Sequence, residues 1–221
     1  MIQAICFDLD DTLYNSTELS KRARVAAISE MINEGLNLEL EEGYKILKEI
    51  VLKRGSNYSK HFNDFLYHIT GKTDYRILSA GIIAYHNTKF AYIRPFKDTI
   101  PTLIHLREVG LKLAIITNGR PEKQWEKILR LSLQHFFDYV FISELVGFEK
   151  PDSRIYEFAL KEMGIEPENA LMIDDKAKDL KGALELGMKS VLIGKSSQDV
   201  DFEIKKLSDI FEVLERLGVK V

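Results

Sequence analysis

Residues 2–12 read Ile2-Gln3-Ala4-Ile5-Cys6-Phe7-Asp8-Leu9-Asp10-Asp11-Thr12, an apolar run that stops abruptly in three acids. A short run of this kind suits a buried strand of a parallel sheet, whose two faces are both covered. Asp8 and Asp10 are two apart, and in an extended segment that spacing points both side chains the same way. Carboxylates pressed together repel each other unless a cation lies between them or they share a proton. Taken alone, the stretch also fits a strand-ending turn with helix-capping acids.

Comparable apolar runs recur at 111–117 (LKLAIIT), 139–143 (YVFIS), 170–174 (ALMID) and 189–193 (KSVLI). Helical patterns lie between them. One starts at Pro121 and carries Trp125, Ile128 and Leu129; another carries Ile155, Phe158, Ala159 and Met163 and stops at Gly164. Strands alternating with such helices make βαβ units, which predicts an α/β fold with a Rossmann-like doubly wound parallel sheet. Residues 15–93 differ, because apolar residues there recur at three and four: Leu40, Tyr44, Leu47 and Val51 in one stripe, Phe62, Phe65, Leu66 and Ile69 in another. Gly35, Gly55 and Gly71 fall where helices would stop. The expected organisation is an α/β core of 1–14 and 94–221, interrupted by an all-helical insertion over 15–93.

Ligands of an open parallel sheet bind at the carboxyl ends of its strands. The first predicted strand ends in Asp8, Asp10 and Asp11, the second in Thr117-Asn118-Gly119, and the fourth in Asp174-Asp175, while Glu149-Lys150-Pro151-Asp152 opens a helix between them. Asp174 supplies a third acid to the edge that holds Asp8 and Asp10. Hard oxygen donors without His or Cys suit Mg²⁺, which keeps some waters and accepts a phosphate oxygen.

Together these residues resemble the haloacid dehalogenase superfamily of Mg²⁺-dependent phosphatases. The likeness runs over nearly the whole chain: D-x-D-x-T at Asp8-Leu9-Asp10-Asp11-Thr12, a strand ending in Thr117, Lys150 in Lys-Pro-Asp, and an acidic pair beginning at Asp174. One departure is Ile173, where the family often has Gly before the acid. Asp175 and Asp179 compete for the role of supporting acid. Asp179 is favoured, since Asp179-Leu180-Lys181-Gly182-Ala183 matches the usual continuation.

The resemblance implies that Asp8 is the nucleophile and forms an aspartyl-phosphate, with Asp10 as acid and then base. It gives the metal to Asp8, the backbone carbonyl of Asp10 and Asp174, and the phosphoryl oxygens to Thr117, Asn118 and Lys150. Family members that cleave carbon–halogen bonds carry a different residue in place of Asp10, so its presence argues for a phosphatase. The insertion resembles the helical cap of the superfamily's first cap class, which favours small phosphorylated metabolites. A narrower likeness is to archaeal members of the phosphoglycolate-phosphatase-like branch, some assigned to triose phosphates such as glyceraldehyde 3-phosphate. Within 15–93, the polar-aromatic clusters holding Asn57 with Tyr58, and His86, are candidate substrate contacts; a surface loop and a partly buried structural histidine explain them as well.

Composition narrows the alternatives. Lys+Arg 31 against Asp+Glu 34, spread along the chain, excludes a broad footprint for nucleic acid. The single cysteine, Cys6, forbids an intrachain disulfide or a C-x-x-C site and is expected to be a small buried residue of the first strand. Acids interrupt the apolar start before a secretory segment forms, and no apolar run approaches the roughly 18 residues of a membrane span. The expectation is a cytoplasmic monomer or homodimer, not a membrane protein. Only four glutamines occur beside abundant Lys and Glu, which points to a thermophilic source. A sugar phosphomutase is the alternative that sequence separates least well. A receiver-type phospho-switch fits poorly, because Lys150 precedes Asp174 and a helical insertion is present.

Overall fold

The computed structural model describes residues 1–55 and 58–221. They form two compact units, Met1–Asn15 with Arg94–Val221, and Ser16–Ile93.

The first unit is built on six strands: β1 (Ala4–Phe7), β2 (Lys112–Thr117), β3 (Tyr139–Ile142), β4 (Ala170–Asp174), β5 (Lys189–Ile193) and β6 (Phe202–Ile204). They form one sheet in the order β3-β2-β1-β4-β5-β6, and every pairing is parallel. The sequence order reverses at β1, which lies between β2 and β4 with Phe7 level with Ile115 and Ile173. That reversal makes the carboxyl ends of β1, β2 and β4 neighbours at one edge, the place where doubly wound sheets bind ligands. Five strands lie where apolar runs predict them. β6 carries no such signal, being only Phe202-Glu203-Ile204 on the sheet margin.

Alternate residues serve the two faces of the sheet. Ala4, Cys6, Ala114, Ile116, Ala170 and Met172 pack with α8 (Ser153–Met163) and α9 (Ala177–Leu186) in one buried cluster. Ile5, Phe7, Leu113, Ile115 and Ile173, on the other parity, are equally buried. Cys6 is fully buried, and that burial pushes its thiol up to about 12. The unit also contains α5 (Thr99–Glu108), α6 (Pro121–Arg130), the single turn α7 (Ser143–Val146) and α10 (Ile210–Arg216).

The helical patterns are correct in kind but rotated in detail. In α6, Ile128 is buried while Trp125 and Leu129 are exposed, because the inward face carries Gln124 and Ile128, one helical turn apart. In α8, Ile155, Ala159 and Met163 are buried, but Phe158 is exposed and Tyr156 takes the inner position.

The second unit consists of α1 (Ser16–Asn33), α2 (Leu40–Arg54), α3 (His61–Thr70) and α4 (Tyr75–Tyr92). α1 packs chiefly on α4. The core gathers Ile28, Met31, Leu36, Leu47, Phe65, Leu66, Ile77 and Leu78, so both predicted stripes contribute. α3 ends at Gly71, whose φ of 69° is the left-handed conformation that glycine adopts without cost. The Asp74 side chain caps α4 by accepting from the Arg76 and Ile77 amides at 2.9 and 3.2 Å.

Candidate active site

Asp8 follows directly on β1, and its amide donates to the Ile173 carbonyl of β4 at 2.9 Å, which extends the ladder by one rung. Asp174 is the last residue of β4. Both side chains are buried, and a buried carboxylate costs several kcal/mol unless it is paired. The partner is Lys150, also buried, whose ammonium donates to Asp8 Oδ1 at 2.7 Å and to Asp174 Oδ2 at 2.5 Å.

Lys150 lies in the loop before α8, and two contacts fix that loop. Asn118, after β2, clasps its backbone reciprocally: Asn118 Nδ2 donates to the Lys150 carbonyl at 2.9 Å, and the Lys150 amide donates to Asn118 Oδ1 at 2.8 Å. On the other side, Gly182 of α9 comes so close that a Cβ there would overlap the Pro151 carbonyl oxygen and crowd the Ser153 amide. The glycine admits the helix to the loop.

Electrostatics follow from this crowding. Burial raises the Asp8 carboxyl to about 7; the Lys150 ammonium works against the rise, while Asp174 and Asp10 add to it. Burial raises Asp174 as well, again opposed by Lys150. For Lys150, burial works against the charged form, but the two carboxylates outweigh it and hold the ammonium above the usual lysine range.

Asp175 joins the same cluster. It is buried, and one carboxylate oxygen each from Asp8, Asp174 and Asp175 lie within 4.8 Å of one another. Lys195 donates to Asp175 Oδ2 at 2.7 Å and to its carbonyl at 2.8 Å. Asp175 Oδ1 is buried with no hydrogen-bond partner among the described residues, and Lys176 Nζ stands 3.9 Å away. Asp179, in the first turn of α9, is half-buried and lies outside this cluster. Its carboxyl is raised by burial, and its backbone carbonyl accepts a bond from the Tyr156 hydroxyl.

Asp10 is half-buried and engaged on both oxygens. Tyr14 donates to Oδ1 and Lys127 to Oδ2, each at 2.5 Å. Burial pushes the Asp10 carboxyl up, but Lys127 and the two bonds outweigh it, leaving the group below its usual range. Thr117 is the buried end of β2. Sequence reasoning missed Lys127, Tyr14 and Lys195. The one available signal for Lys127 was Gln124, a polar residue three positions earlier, on the same face of a helix that otherwise buries Ile128.

The three candidates of the helical insertion belong to the second unit. Asn57 lies outside the described residues. Tyr58 is half-buried and donates to Asp64 Oδ1 at 3.2 Å. His86 is exposed on α4, with its ring edge-on to Tyr85.

A family model described as haloacid dehalogenase-like hydrolase matches residues 2–187. The chain belongs to the haloacid dehalogenase-like hydrolase family. It is 47% identical over 194 residues to a glyceraldehyde 3-phosphate phosphatase of Methanothermobacter thermautotrophicus, covering 87% of this chain and 86% of that protein. It is 44% identical over 225 residues to the protein of the same name in Methanocaldococcus jannaschii, covering 98% and 99%. Among solved structures, a HAD phosphatase from Thermococcus onnurineus superposes with a TM-score of 0.69 at 27% identity, covering 99% of each chain.

Proposed function

We propose that this chain is a Mg²⁺-dependent phosphatase that hydrolyses a small phosphate monoester through an aspartyl-phosphate on Asp8, with glyceraldehyde 3-phosphate as the favoured substrate. The substrate follows the names of its relatives. The chemistry follows one observation: a buried lysine bonded to Asp8 and Asp174 at adjacent strand ends, beside a buried Asp175 oxygen with no hydrogen-bond partner among the described residues.

That oxygen is also the test of whether a divalent cation suits the site. A buried carboxylate oxygen without a hydrogen-bond donor is costly, and hard oxygen donors from three carboxylates within 4.8 Å of one another are the ligand set that suits a hard divalent metal. Asp8, Asp174 and Asp175 would hold the ion, with the backbone carbonyl of Asp10 as a further ligand; we assign the supporting role to Asp175 rather than Asp179. When bound, the metal neutralises phosphoryl charge and lets the nucleophile approach an anion.

The rest is done by the chain. A carboxylate approaching a phosphate meets repulsion of about 4 kcal/mol per pair of charges at 4 Å and an effective dielectric of 20. Lys150 lowers it by neutralising nucleophile and phosphoryl oxygens together. An Asp8 oxygen attacks phosphorus, the bond to the ester oxygen breaks, and Asp10 gives that oxygen a proton. Asp10 then takes a proton from water as the water attacks phosphorus, breaking the bond to Asp8 and releasing phosphate. Thr117 and the Asn118 amide donate to the phosphoryl oxygens. Residues 16–93 take the role of the helical cap, with Tyr58 and His86 as candidates for substrate choice.

The test is release of phosphate from p-nitrophenyl phosphate and glyceraldehyde 3-phosphate by the purified protein with Mg²⁺. Activity disappears in EDTA and in Asp8→Asn. Turnover by Asp8→Asn at the wild-type rate would overturn the assignment.

A further inference from the structure

Asp10 is held by a chain of hydrogen bonds that begins at the end of β2. Gln124 of α6 is buried and donates from Nε2 to the Asn118 carbonyl at 3.0 Å. Its Oε1 accepts from Lys127 Nζ at 3.1 Å, and Lys127 Nζ donates onward to Asp10 Oδ2 at 2.5 Å. Tyr14 closes the chain from the opposite side, on Asp10 Oδ1. Gly119 makes room for it, because a Cβ there would lie 2.5 Å from Gln124 Nε2. The loop after β1 and the loop after β2 are thus joined through one helix, at the carboxylate assigned to proton transfer.

We propose that Lys127 is a positioning residue for Asp10, fixing the carboxylate that exchanges protons with the leaving oxygen and with the attacking water. A carboxylate on a turn has two free torsions, and proton transfer in the transition state demands a set distance and angle. Donors on both oxygens remove that freedom. Lys127 is well placed for this, since its own ammonium is tethered by the buried Gln124 and its side chain is only 18% exposed. The proposal rests on the acid–base role given to Asp10 above.

The leaving group provides the test. Glyceraldehyde 3-phosphate expels an alkoxide that needs a proton; p-nitrophenyl phosphate expels a phenolate that does not. In Lys127→Met with Mg²⁺, kcat on glyceraldehyde 3-phosphate falls about tenfold or more, the scale of a misaligned general acid. The first burst of p-nitrophenol changes by less than about twofold. Asp10→Asn also loses kcat on glyceraldehyde 3-phosphate, and adding Lys127→Met to Asp10→Asn costs nothing further, as expected for residues acting as one unit. Equal losses on the two substrates, no loss on either, or full additivity with Asp10→Asn would overturn the proposal. Wild-type protein inactive on both substrates would instead overturn the phosphatase reading itself, before any variant is compared.

Discussion

Two helix glycines, one in each unit, look alike in sequence and face different neighbours. A Cβ at Gly182 in α9 would meet backbone, the Pro151 carbonyl and the Ser153 amide of the loop that carries Lys150, whereas one at Gly81 in α4 would meet first the Met31 side chain, from its Cγ to its terminal methyl. The same contrast runs through the two units. At the carboxyl edge of the sheet, buried and half-buried polar groups are locked to one another: Lys150 to two acids, Asn118 to the Lys150 backbone, Asp10 on both oxygens. In the helical unit the buried residues are apolar and adaptable, and polar side chains such as Tyr58 and His86 lie toward the surface. A charged, close-packed edge has few alternative arrangements, while an apolar helical core has many of nearly equal energy.

That contrast breaks if substitutions on the two sides have similar effects. The largest effect is expected for Asp8→Asn, which loses about 10³-fold or more in kcat on p-nitrophenyl phosphate. Next is Lys150→Met, which leaves two buried carboxylates without their cation and costs about 3–5 kcal/mol in denaturant unfolding without metal. Saturation with Mg²⁺ at about 100 times its Kd adds about 2.7 kcal/mol of stability to the wild type, read as a rise in Tm. Asp175→Asn shrinks that rise and Asp179→Asn leaves it; the reverse would return the supporting role to Asp179. Gly182→Ala costs about 1–3 kcal/mol through overpacking and lowers kcat by displacing Lys150, whereas Gly81→Ala costs less than Gly182→Ala, because a side chain rather than backbone gives way and alanine favours the helix. Smallest is Tyr58→Phe, within about 0.5 kcal/mol in thermal unfolding.

Much of this was legible in the sequence, for reasons that differ by residue. Five strands announced themselves as apolar runs, since a parallel strand buried on both faces has no room for alternation. Asp8, Thr117 and Asp174 could be named because each follows or ends a predicted strand, and Lys150 because it opens a predicted helix and matches the family's lysine motif; the sheet order brings those strand ends together. β6 was silent, as three marginal residues carry no period. The inward faces of α6 and α8 were misjudged by about one residue, because Trp125 and Phe158 look like core while Gln124 and Tyr156 do not. The preference for Asp179 over Asp175 rested on a motif continuation. Asp175 is the acid whose carboxylate lies with those of Asp8 and Asp174, and it is bonded by Lys195, a residue with no mark of its own in the sequence. Lys127 left only an indirect trace, the polar Gln124 on its own helix face, because its acidic partner is 117 positions away.

β1 sits at the middle of the sheet, and both strands that flank it come from far along the chain: Ala4 pairs with Lys112 on one side and with Ala170 on the other. During synthesis, then, Asp8 is among the first residues to emerge and among the last to find its setting. At about 5–20 residues per second, on the order of ten seconds or more separates its appearance from that of Asp174. The helices of 16–93 find their partners within that stretch and do not have to wait. A ribosome carrying the chain as far as β3 therefore holds a helical segment with all its parts and an acid still in water. The hydrolase comes into being only when the fourth strand slides in beside the first.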